Sequence, residues 1–168
     1  MPEYRRRVAY LHQRPVLFDG SVEDNLRRVF RLRAHRSRRF DRERVLGWLD
    51  RLGRDADFLA RPASTLSGGE QQLAALLRTL QLGPQVVLLD EATASLDPQA
   101  VAAVESLIAA WKAEDSGRAT IWTSHDPAQI GRLADRIVAL RAGRVVEDRG
   151  DAPVGGHPVP VSSEGASG

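Results

Sequence analysis

The chain has 168 residues, 42% of them hydrophobic and 27% charged, with a formal net charge of +2 and no cysteine. That length supports one domain with a real hydrophobic core rather than two large ones, and the composition is that of an ordinary globular protein. Disulfides and thiolate metal sites are excluded, no apolar run reaches spanning length, and Met1-Pro2-Glu3-Tyr4-Arg5 lacks the apolar core of a signal peptide.

In chain order, Arg7 to His12 reads as a short strand that must stop before Pro15, which has no N–H for a ladder. Ser21 and Asp24 offer caps for a helix beginning near Val22 and including Leu26, Val29 and Phe30. Asp41 can cap a second helix with Val45, Leu46, Trp48, Leu49 and Leu52 on its apolar side, and Gly53 supplies a left-handed stop. Ser67-x-x-Glu70 fits a capping box ahead of Leu73, Leu76, Leu77 and Leu80, with Gly83-Pro84 as terminator. The continuous apolar run from Gln85 to Asp90 predicts a strand buried on both faces of a parallel sheet.

Asp97-Pro98 then places a cap and a first-position proline before a helical face of Val101, Val104, Leu107, Ile108 and Trp111, closed by Gly117. Ala119 to Thr123 is the next strand, and a short helix through Ile130 and Leu133 follows Ser124-His125-Asp126-Pro127. Ile137–Leu140 and Arg144–Glu147 form a last strand pair around Arg141-Ala142-Gly143. Beyond Gly150 the aperiodic Gly, Pro, Ser and Val content predicts a disordered tail over 151–168. Strands alternating with helices predict an α/β fold with a mostly parallel sheet.

Charge is unevenly spread: nine arginines lie between Arg27 and Arg44, whereas Lys112 is the sole lysine. Such a run is ordinarily a solvated basic surface. Anionic lipid headgroups, an acidic partner surface or nucleic acid are the functional readings, nucleic acid being weakest because only Phe30 and Phe40 interleave as stacking platforms.

Function in open parallel sheets collects at the carboxyl ends of strands, where Gln13, Asp90-Glu91 and His125 all fall. Two acids ending a buried strand need a cation or water. Asp90 suits Mg²⁺, which takes few protein carboxylates, and Glu91 could then polarise a water for attack on a γ-phosphate. An acidic strand-to-loop corner explains the pair equally well. Ser67-Gly68-Gly69 at a helix start could receive an anion on backbone N–H groups, or could simply be a capped, flexible helix entry. His125 alone reads as structural, and Gln13 alone carries almost no information.

Taken together, the motifs resemble those of ABC-type ATPase domains over residues 7–149. Tyr10-Leu11-His12-Gln13 is similar to their Q-loop, Leu66-Ser67-Gly68-Gly69-Glu70 to their signature motif, and Val86 to Glu91 to their Walker B strand. Ala94-Ser95-Leu96-Asp97 resembles the D-loop and Thr123-Ser124-His125-Asp126 the switch histidine. The resemblance implies a P-loop NTPase-like sheet with an α-helical signature subdomain at about 20–83 in a partial domain spanning 1–150. It further implies ATP and Mg²⁺, bound between two domains arranged head to tail. Ser67, Gly68, Gly69 and Glu70 would then serve a γ-phosphate held by the partner domain. Asp90 and Gln13 would reach the metal, Glu91 would be the base, and His125 would hold the γ-phosphate and water. Asp97 would couple the two composite sites.

The segment from Gln13 to Leu26 resembles exporters in particular, and Leu77 to Gln81 with Ile121 to Asp126 resembles a bacterial subgroup of iron-export ATP-binding subunits. This implies transmembrane permease partners, a peripheral position on the inner face of the cell membrane and no nucleic acid. The 168 residues contain no G-x-x-x-x-G-K-[ST]. The expectation is therefore an N-terminally truncated domain lacking the P-loop strand and helix, inactive alone and prone to aggregate through an uncovered apolar flank. A non-transport ABC ATPase of the DNA-repair type and a non-enzymatic interaction fragment are the alternatives.

Overall fold

The structure, a computed structural model, describes residues 7–35 and 37–150. The predicted tail at 151–168 lies outside them. The described residues fall into two compact units with the boundary between Thr123 and Ser124.

The first unit is built on a three-stranded parallel sheet in the order β1 (Val8–Leu11), β2 (Val86–Asp90), β3 (Ala119–Thr123). Its register aligns Tyr10, Leu88 and Ile121 in one row and Leu11, Leu89 and Trp122 in the next. Side chains alternate between faces, so Val87 and Leu89 are fully buried while Val86, Leu88 and Asp90 are half-buried. This corrects the expectation of a strand buried on both faces. The row holding Tyr10 and Ile121 remains 47% and 54% exposed, so only the opposite row enters the core.

The helices are α1 (Val22–Arg28), α2 (Arg42–Arg51), α3 (Gly68–Leu80) and α4 (Pro98–Ala113). Each begins on a side-chain cap that the sequence offers: Ser21, Asp41, Ser67 and Asp97. Leu73, Leu76, Leu77 and Leu80 of α3 join Leu26, Val45, Leu49, Leu89, Leu107 and Trp111 in one core. α3 braces the loop before α1, and its C-cap residue Gln81 braces α1 itself. The Arg78 Nη2 donates to the Val16 carbonyl at 3.1 Å, and the Gln81 Nε2 to the Leu26 carbonyl at 2.7 Å.

Helix ends differ from expectation in two places. α1 stops at Arg28, and Val29 enters a tighter 3₁₀ turn through Arg31, with Leu32 in extended backbone immediately after it. α4 stops at Ala113, so Gly117 closes the following turn rather than the helix. Gly53 has the expected positive φ of 65° past α2. Two short 3₁₀ turns, Ala56–Ala60 and Ala63–Thr65, lead into α3 and carry no pattern that sequence periodicity could reveal.

The second unit comprises α5 (Pro127–Leu133) and an antiparallel pair, β4 (Arg136–Arg141) and β5 (Arg144–Gly150). Ala142 and Gly143 both take positive φ, as a two-residue hairpin turn requires. Among the described residues no helix is long and apolar enough to cross a membrane.

Candidate functional site

The carboxyl edge of the sheet gathers several polar groups because the register sets them side by side. Asp90 is the last residue of β2 and pairs with Thr123 at the end of β3. One carboxylate oxygen of Asp90 accepts from the Thr123 hydroxyl at 2.8 Å, the other from the Tyr10 hydroxyl at 2.5 Å. The Tyr10 phenol, then the Thr123 hydroxyl and the nearby His12, hold the Asp90 carboxyl below the usual carboxylate range. In return, Asp90 pushes the Tyr10 phenol above its ordinary value. The Tyr10 ring is fixed edge-on against the His12 ring at 4.2 Å.

Glu91 turns the chain away from the sheet with φ of +46°, an uncommon left-handed conformation for a residue with a side chain. Its N–H stays anchored to β3, donating to the Thr123 carbonyl and hydroxyl, each at 3.2 Å. The turn directs its carboxylate to Gln13, whose Nε2 donates to it. Gln13, Asp90 and Glu91 are thus brought to one edge. Asp97 caps α4 by accepting from the Ala100 N–H at 2.9 Å. His125 lies two residues past β3, in the second unit.

Ser67 and Glu70 close a reciprocal capping box at the start of α3. The Glu70 carboxylate accepts the Ser67 N–H at 3.0 Å, and the Ser67 hydroxyl accepts the Glu70 N–H at 3.3 Å. Both oxygens of Glu70 also accept from the Arg61 guanidinium, one of them at 3.1 Å, and Arg54 stands 3.6 Å away. Arg61 drives the Glu70 carboxyl down to about 2. The first N–H groups of a helix have no intrahelical acceptor, so those of Gly68 and Gly69 stay at the mouth of α3. A Cβ on Gly68 would meet nothing within 4 Å, whereas one on Gly69 would stand 3.0 Å from both the Ser95 carbonyl and the Leu96 side chain. Gly68 therefore leaves open space for an anion, and Gly69 is needed for close packing.

The residues present fit Mg²⁺ and phosphate. Asp90 is charged, half-buried and retains lone pairs beyond its two hydroxyl partners. Among the described residues no group of three or more His, Asp or Glu side chains is placed to hold a metal ion.

Sequence reasoning gave no role to Tyr10, Thr123, Arg61, Asn25 or Gln72. Arg61 spans two helix starts: its carbonyl accepts the Val22 N–H of α1 at 3.0 Å while its guanidinium holds Glu70 of α3. Asn25 is buried and bonds the Phe18 N–H and carbonyl and the Ser21 carbonyl, fixing the loop between Gln13 and α1. Gln72, also buried, donates to the His12 carbonyl at 3.4 Å and ties α3 to the end of β1. Only the register of β1 on β2 could have pointed to Tyr10, and Asn25 in the buried stripe of α1 was the one legible signal.

The family profile described as ABC transporter matches residues 1–94. The chain is 40% identical over 145 residues to the nickel import ATP-binding protein NikO of Rhodobacter capsulatus, covering 84% of this chain and 56% of that protein. It is 36% identical over 148 residues to the Probable iron export ATP-binding protein FetA of Escherichia coli, covering 87% and 64%. A solved ATP-binding subunit of an ABC transporter superposes with a TM-score of 0.76 at 28% identity, covering 88% of this chain and 60% of that one. The chain spans about half the length of the curated relatives it matches.

Proposed function

The chain belongs to the ABC transporter family as part of an ATP-binding domain, and from that premise we propose that it serves a transporter as an ATP-binding, ATP-hydrolysing subunit. The observation that carries the proposal is the meeting of Gln13 with Glu91 beside an Asp90 carboxylate held charged by Tyr10 and Thr123.

In this reading Asp90 is the metal-holding carboxylate, and Mg²⁺ when bound neutralises phosphate charge. Gln13 donates its amide N–H to Glu91, and its carbonyl oxygen is the acceptor that would help hold the metal. Glu91, oriented by Gln13, takes the proton of the attacking water. His125 contacts the γ-phosphate and that water.

Ser67, Gly68 and Gly69 offer the start of α3 to a γ-phosphate held by a second ATP-binding domain, arranged head to tail. Glu70 acts there indirectly, because its carboxylate is engaged by Ser67 and Arg61. Asp97 couples the sites by fixing the segment from Ser95 that packs on Gly69. The stretch of about 20–83 is the helical subdomain of a domain reaching residue 150.

Permease subunits are the proposed partners, with the chain held peripherally at the inner face of the cell membrane. A metal ion as cargo, moved outward, is the finer form of the proposal. The exporter resemblance of Gln13 to Leu26 and the name of FetA favour it, and the name of NikO favours the opposite direction. Alone, these 168 residues are proposed to be inactive, since they contain no G-x-x-x-x-G-K-[ST]. ATP turnover by a transporter complex in which this chain is joined to a P-loop segment is the test. Glu91→Gln should lower kcat by at least about 10²-fold while Mg-ATP affinity is kept, and an unchanged kcat would overturn the assignment.

A further inference from the structure

The segment joining α1 to α2 carries nine arginines against two acids between Arg27 and Arg44. The acids that meet this segment are few: Glu23 takes Arg27 and Arg42, Glu114 takes Arg44, and Asp24 lies close enough to Arg31 and Arg27 to feel their charge. Among the described residues no acid lies within ion-pair distance of Arg28, Arg31, Arg33 or Arg39, all of which are exposed. Solvated surface arginines normally alternate with acids, which relieves self-repulsion. Here the repulsion is relieved only in part.

Two aromatic rings at the segment, Phe40 within it and Phe18 beside it, already carry guanidiniums. The Arg27 guanidinium lies 4.4 Å over the Phe40 ring and that of Arg28 lies 4.1 Å over Phe18. Those ring faces are no platforms for bases, which argues against single-stranded nucleic acid. In addition, two 3₁₀ turns, Val29–Arg31 and Arg33–His35, flank Leu32 and leave it extended at the corner between them. Leu32 is 57% exposed, with Arg31 and Arg33 on either side of it. An exposed leucine flanked in the chain by Arg31 and Arg33 has two complementary needs: phosphate oxygens for the arginines and hydrocarbon for the leucine.

We propose that this corner is a membrane-surface site that binds anionic phospholipid headgroups, with Arg28, Arg31, Arg33 and Arg39 on the phosphates and Leu32 entering the acyl boundary. An acidic protein face would satisfy the charges and would need an apolar pocket of its own for Leu32. A bilayer surface satisfies both. The site needs no nucleotide, so it stands or falls separately from the ATPase proposal.

Co-sedimentation of the purified chain with vesicles tests it. Vesicles of phosphatidylcholine with 30% phosphatidylglycerol, on the order of the anionic content that gives a strong surface potential, should bind the chain. Pure phosphatidylcholine vesicles should bind at least about tenfold less, and raising salt should release the protein. Each arginine replaced in the set Arg31→Gln, Arg33→Gln and Arg39→Gln should weaken binding about fivefold. Leu32→Ser should weaken it several-fold without changing the salt dependence. All these positions are exposed, and circular dichroism checks that the variants keep the fold. Equal binding to neutral vesicles, or indifference to the triple substitution, would overturn the proposal. Retention on polyglutamate or an oligonucleotide without vesicle binding would overturn it too, by assigning the corner to an acidic protein or to nucleic acid.

Discussion

Arg61 grips both carboxylate oxygens of Glu70, the same carboxylate that caps the Ser67 N–H. Since the Arg61 carbonyl also holds the first helical N–H of α1, one residue joins the starts of α1 and α3. The glycine pair at the mouth of α3 thus rests on an ion pair that is itself tied to the loop before α1.

Glu70→Gln should cost about 1–2 kcal/mol of stability at neutral pH, as expected for a capping and charge-assisted bond. The folded Glu70 carboxyl titrates near 2 against 4.5 ordinarily, so its stabilisation is complete above about 4.5 and is lost as pH falls toward 2. Urea midpoints taken at pH 7 and pH 3 should therefore differ more in the native chain than in Glu70→Gln. Equal differences would remove Glu70 from the acid-sensitive groups.

The two glycines should separate fold from function. Gly68→Ala adds a methyl in open space on a helix and should stabilise by about 0.5–1 kcal/mol. Gly69→Ala collides with the Ser95 carbonyl and should cost about 1–3 kcal/mol. Chemical denaturation of the two variants measures both signs.

Asn25→Ala removes a buried side chain and leaves the Phe18 N–H and carbonyl without their partner. A loss of about 2–4 kcal/mol is expected, with faster proteolysis between Gln13 and Ser21 than at other sites. Proteolysis spread evenly along the chain would show that Asn25 serves the core rather than this loop.

Tyr10→Phe deletes the largest contribution lowering the Asp90 carboxyl. Carbon-detected titration of Asp90 should show its pKa rising toward the ordinary value, and a fall or no change would dismiss the hydrogen bond. Asp90 is lowered in the fold, so the small stability it lends is present above the unfolded pKa and fades as pH drops.

The caps were legible because Ser21, Asp41, Ser67 and Asp97 act over three residues, within reach of sequence pattern, and the parallel sheet because strands alternate with helices. The burial of β2 was misread because an apolar run cannot tell which neighbours cover each face, and the row of Tyr10 and Ile121 is uncovered here. Within the candidate site, Gln13, Asp90 and Glu91 meet as the strand-end argument implied. What escaped were the side chains that hold them, since Tyr10 and Thr123 reach Asp90 only through cross-strand register, and Arg61 reaches Glu70 through irregular turns.

ATP-dependent association tests the central claim most directly, namely that the start of α3 serves a nucleotide held by a second domain. The chain should be mixed with a complete ATP-binding domain of the family that carries its own P-loop and a hydrolysis-blocking substitution, then followed by analytical ultracentrifugation. A heterodimer that forms only with Mg-ATP, and is lost in Gly68→Asp while the fold is kept, is the predicted result. Association that ignores ATP, or that survives Gly68→Asp, would contradict it.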